Sequence, residues 1–126
     1  MSFFRYVFPG GWVGGEETDV TLVNNTQLIY RRTFASNHRI LLYGVAALNG
    51  DDVTRIIRIR IVDGSNNVLH TIKEESVGAG DRIFENLPGG LVLKGGWKVE
   101  FVFEAGGASS GGTGNVSLIF TELMAK

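Results

Sequence analysis

Between Val53 and Asp63 the chain alternates with a period of two: Ile57, Ile59 and Ile61 fall on one side and Arg58, Arg60 and Val62 on the other. That spacing predicts a β-strand with one aliphatic face and one face of guanidinium groups on apolar stems. A second alternating stretch follows Gly95-Gly96, where Trp97, Val99, Phe101 and Phe103 interleave with Lys98, Glu100 and Glu104. His38 to Leu48 is apolar on both faces, the pattern of a central strand covered on both sides. Shorter strands are expected at Asp19–Val23, Gln27–Ala35, Val68–Lys73, Arg82–Leu87 and Leu91–Leu93, with a last one at Asn115–Leu123. Turn signals separate them: Asn24-Asn25, Asn49-Gly50-Asp51-Asp52, Asp63-Gly64-Ser65-Asn66-Asn67, and Pro88-Gly89-Gly90, which is read as stopping the Arg82–Leu87 strand. Short strands at this spacing predict an all-β, single-domain antiparallel β-sandwich, jelly-roll-like, with about eight strands.

Composition agrees with the pattern. Val, Ile and Thr together supply 30 residues against 7 Ala, and β-branched side chains suit a pleated surface better than a helix. The chain has 126 residues, which is enough for one core without metal or disulfide staples. It has no Cys, which removes thiol nucleophiles, disulfides and thiolate metal sites, and only two His, at 38 and 70. The longest apolar run, Ile40 to Leu48, falls far short of the roughly 20 residues of a membrane-spanning helix. Met1-Ser2-Phe3-Phe4-Arg5 lacks the apolar region and cleavage site of a secretory signal, so a chain made and kept in a cytosol-like compartment is expected.

The chemistry-bearing motifs are thin. Gly106 to Gly114 is glycine-rich, but it lacks the Lys-Ser/Thr ending of a phosphate loop and leads into a strand pattern, so it reads as a hairpin loop. No serine stands in a nucleophile elbow, and His70, with Glu74 and Glu75 nearby, has no second carboxylate tied to it by a recognisable spacing; both His38 and His70 are read as structural or surface residues. No enzymatic activity, cofactor or metal is expected.

Charge is segmented rather than absent. The formal net charge is −1, yet residues 31 to 60 hold six Arg against two Asp, a local +4 between two acidic ends. One reading is an Arg-bearing sheet face, with Arg55, Arg58 and Arg60, that docks onto an acidic surface through bidentate contacts. The other is cross-strand pairing of the arginines with Glu100, Glu104 and Glu122 inside the fold. The overall acidity disfavours nucleic acid as a partner. The N-terminus is the second unusual stretch: Phe3, Phe4, Tyr6, Phe8 and Trp12 place five of the 13 aromatics in the first twelve residues. Residues 1–15 are therefore treated as an aromatic arm and 16–126 as the sandwich domain. The arm either completes its own core as a first strand or adds to a partner's sheet edge or groove.

From Asn86-Leu87-Pro88-Gly89-Gly90-Leu91-Val92-Leu93-Lys94-Gly95-Gly96-Trp97 onward, a short strand, a glycine turn, a long strand, a Gly/Ser loop and a last strand follow one another. This C-terminal third resembles the final hairpins of small jelly-roll virion proteins of tailed phages. The resemblance implies a capsid decoration, or cement, protein: a homo-oligomer, trimer or dimer, located in the virion, that clamps a major capsid protein. The alternative expectation is a carbohydrate- or receptor-binding module of a tail fibre or other assembly.

Overall fold

Each of the alternating stretches forms a strand in the structure, a computed structural model that describes residues 2–8, 11–23, 26–105 and 112–124, with side chains from residue 14 to residue 123 within those ranges. Nine strands are described: β1 (Ser2–Phe8), β2 (Gly11–Leu22), β3 (Leu28–Thr33), β4 (His38–Leu48), β5 (Arg55–Val62), β6 (Val68–Val77), β7 (Arg82–Lys94), β8 (Lys98–Phe103) and β9 (Gly112–Met124). They form a five-stranded sheet in the order β1-β2-β9-β4-β7 and a four-stranded sheet in the order β3-β8-β5-β6. Every pairing is antiparallel. From β2 onward the chain changes sheet at each connection except the β5–β6 hairpin, which is the winding of a jelly roll.

The core lies between the sheets and is built by the alternation read above. Ile57, Ile59 and Ile61 of β5 and Val99, Phe101 and Phe103 of β8 face Leu42 and Val45 of β4 and Leu118 and Phe120 of β9, all buried. A hydrogen-bond distance of 3.2 Å between Thr18 Oγ1 and Tyr30 Oη joins the sheets at the β2–β3 side.

Two expectations are corrected. Pro88-Gly89-Gly90 does not end a strand. β7 runs through it, and the register against β4 shifts, so that Leu42 pairs with Leu91 and Gly44 with Asn86. The extra residues are accommodated because Gly89 and Gly90 take φ of 79° and 83°, a region where a Cβ is strained, and because proline has no amide hydrogen to leave unpaired. β4 was expected to be covered on both faces. Its inner side chains are buried, but among the described residues no element packs over its outer side, where Arg39 is exposed and Leu41, Ala46 and Leu48 are half-buried.

Residues 2–8 run antiparallel to residues 11–17 and make the outermost strand of the five-stranded sheet. The side chains of Phe3, Phe4, Tyr6, Phe8 and Trp12 lie outside the described residues, as do the Asn24-Asn25 turn and residues 106–111 of the glycine-rich loop.

Candidate functional site

The arginines separate by parity along β5. Arg55 shares its side of the strand with Ile57, Ile59 and Ile61, and it points inward at 1% exposure. Its Nε donates to Asp51 Oδ2 at 2.7 Å, Nη1 to the carbonyls of Thr26 and Glu104 at 3.1 and 2.8 Å, and Nη2 to the carbonyl of Val23 at 2.7 Å. One buried guanidinium thereby fastens the β2–β3 and β4–β5 connections and the end of β8 at one pole of the sandwich. Asn49 closes the same pole, donating from Nδ2 to the carbonyls of Val53 and Val77, both at 2.9 Å. Arg55 therefore belongs to the interior and not to a docking face.

Arg58 and Arg60 do lie on the outer face of the four-stranded sheet, and both are paired there. Arg60 Nε donates to Glu100 Oε1 at 3.0 Å, and Arg31 Nε reaches the other oxygen of the same carboxylate at 2.7 Å. Arg58 bonds Glu74 on β6 and Glu104 just beyond β8. The residues face one another across the ladder, Arg31 and Arg60 both being register partners of Glu100, and Arg58 of Glu74. Arginine stems cover the sheet so well that Glu100 is 2% and Val102 1% exposed, although both point away from the core. Burial pushes the Glu100 carboxyl upward, but the bonds from Arg60 and Arg31 outweigh it and hold the group below the usual carboxylate range. Arg58 likewise holds Glu104 low. Pairing with Glu100 and Glu104 is thus what the fold realises. Glu122 takes a different neighbour: its Oε1 lies 3.2 Å from His38 Nδ1. Beside that pair, Arg32 Nε donates to the buried Glu16 at 2.6 Å, while its guanidinium lies 4.7 Å from the centre of the Phe34 ring. His70 is exposed on β6.

The outer face of the five-stranded sheet differs in how its charges are placed, since exposed apolar side chains occur on both sheets, Ile29 and Ile56 of the four-stranded sheet being 38% and 42% exposed. Phe84, Val92, Ile119 and Leu123 are 55%, 62%, 45% and 36% exposed. Small residues, Ala46 and Ser117, occupy its middle, with Glu17 and Asp19 on the β2 side and Arg82 on the β7 side. Together these residues line an open groove of about 340 Å³. Asn115 Nδ2 donates to Glu17 Oε1 and to Asp19 Oδ1, both at 2.9 Å, and holds the two acids side by side. Among the described residues, Arg39, Arg82 and Lys94 on this face have no ion pair, and no group of three His, Asp or Glu could hold a metal ion.

The chain is similar in structure to several solved proteins. PirA is similar over 81% of this chain and 92% of its own, with 12% identity and a TM-score of 0.57. A protein of Bacillus endospore appendages, described as disulfide-linked pili, is 12% identical over 90% of this chain and 89% of its own, with a TM-score of 0.46. A chain of infectious bursal disease virus, Gx strain, is 12% identical over 85% of this chain, which spans only 33% of that protein, with a TM-score of 0.44. With PirA, what is shared is the fold. No family model and no curated protein matches the sequence.

The uncovered face of the five-stranded sheet is what sequence reasoning missed. Its signal is present in His38–Leu48, whose second apolar side meets no covering layer among the described residues.

Proposed function

We propose that this chain is a non-enzymatic structural protein of a virus particle, of the decoration or cement type, which attaches to a major capsid protein. The observation that carries the reading is the place of the aromatic segment. Residues 2–8 form the last strand of a sheet, and no described strand pairs with its outer edge. Such an edge adds to a neighbouring sheet through main-chain hydrogen bonds, with alternate side chains supplying specificity. Phe3, Phe4, Tyr6, Phe8 and Trp12 are the side chains this contact would use. Arg58 and Arg60 are committed to Glu74, Glu100 and Glu104 and are left out of it.

The test is to purify particles from the source of this sequence, search them for the chain by mass spectrometry and locate it with a labelled antibody. Regular labelling over the shell supports the reading. Absence from the particles, or labelling of a tail tip alone, overturns it. A chain lacking residues 1–12 should fold and fail to attach; outright unfolding would show that the segment belongs to the core.

A further inference from the structure

We propose that the outer face of the five-stranded sheet is the contact between two copies of this chain, packed face to face so that Glu17 and Asp19 of one meet Arg82 of the other. The inference takes up the homo-oligomer that the resemblance to virion proteins implies and is independent of shell attachment.

The charges on this face are sorted by strand. Outward-facing β2 positions carry Glu17 and Asp19, β9 positions are uncharged, and β4 and β7 carry Arg39, Arg82 and Lys94. The register places them at defined heights. Asp19 pairs with Asn115, Asn115 with Leu48 and Leu48 with Arg82, so the acid and the base share one row. They stand three strands apart, about 14 Å at ordinary strand spacing, too far to pair within one molecule. A two-fold axis parallel to the strands, passing between β9 and β4, carries β2 of one copy over β7 of the other and preserves height along the strands. Asp19 then faces Arg82 twice, once at each side of an isologous contact. A two-fold axis running across the strands would instead stack β2 on β2 and set acid against acid.

The centre of the same contact is apolar. Ile119 comes over the row of Gly44, its own partner on β4, which adds no side chain to the face. Leu41, Leu48 and Phe84 surround it and lose their remaining exposure. This accounts for a β4 strand that is apolar on both sides. Two sheets packed in this way form an aligned pair, an arrangement twisted sheets adopt readily. From Asn115 to Leu123 the face extends roughly 26 Å, enough for a specific contact of modest size.

Sedimentation of the full chain over a wide concentration range tests the proposal. The wild type should be a dimer that weakens in high salt. Arg82→Asp and Asp19→Arg should each raise the dimer dissociation constant by roughly a hundredfold or more. The double variant, in which both contacts are reversed, should dimerise again. Circular dichroism checks that each variant is folded, and Ile119→Arg gives a second, uncompensated route to a monomer. The proposal is overturned by a monomeric wild type, by dimers indifferent to both single substitutions, or by a double variant that stays monomeric. Saturable binding of lactose or maltose in the groove of a monomeric wild type would also overturn it, in favour of a saccharide site. A monomer that still decorates shells would sink this inference and leave the attachment reading standing.

Discussion

On the four-stranded sheet, Arg31, Arg58 and Arg60 meet Glu74, Glu100 and Glu104 within the molecule. On the five-stranded sheet, Asp19 and Arg82 occupy one row and cannot reach each other. Both faces carry arginine, carboxylate and exposed aliphatic side chains, yet on one the charges are paired within the molecule and on the other they stand apart. The difference teaches that the arginine content of a strand says little about adhesion until the cross-strand neighbours are known. Pairing across a ladder uses up a guanidinium's donors and buries its stem; a charge with no partner in reach stays available to another molecule.

Substitutions should therefore divide into those that act on stability and those that act on association. The largest effect on stability is expected from Arg55→Met, which takes the guanidinium from a buried Asp51 and from three carbonyls. It should cost about 3–5 kcal/mol in urea unfolding. Glu100→Gln comes next, at about 2 kcal/mol, because one carboxylate serves both Arg31 and Arg60.

The same residue gives a pH test. Glu100 and Glu104 have depressed values in the folded state, so their contribution is complete above the unfolded glutamate value of about 4.3 and is lost as pH falls below it toward the depressed folded values. Stability measured from pH 6 downward should fall in that acid window, and Glu100→Gln should flatten the fall. Arg58→Gln removes a partly exposed pair and should cost about 1 kcal/mol or less. Ile119→Ser should change stability by no more than about 0.5 kcal/mol while weakening dimers roughly tenfold or more. If Ile119→Ser were instead as destabilising as Glu100→Gln, the contrast between the faces would be wrong.

Much of the sandwich was legible because alternation is a local property. His38–Leu48 is bounded in the structure as in the sequence, and the β5 and β8 inner faces follow directly from period two. The misreadings arise where the decisive fact is not local. Pro88-Gly89-Gly90 has the composition of a turn, and only the presence of β4 alongside makes it a bulge within one strand. Arg55 was grouped with Arg58 and Arg60 by residue type, although its odd-numbered parity with Ile57 already placed it inside. What made the interior tolerable for it, Asp51 and three carbonyls from two other segments, comes together only on folding. The apolar second side of β4 was read correctly as a pattern; what could cover it is not encoded near it.

The bulge in β7 has a consequence for how such molecules accumulate. β7 is a border strand of its sheet, and a long straight border with free amides and carbonyls would invite further chains to join in the plane of the sheet, one after another, without limit. At Pro88 an amide hydrogen is missing, and Gly89 and Gly90 turn the backbone out of strand geometry. The border is thereby cut into two short pieces, each a poor template for endless growth. In the face-to-face dimer proposed above, association runs instead through a flat face whose two-fold contact closes on itself, giving a particle of fixed size and not a fibre.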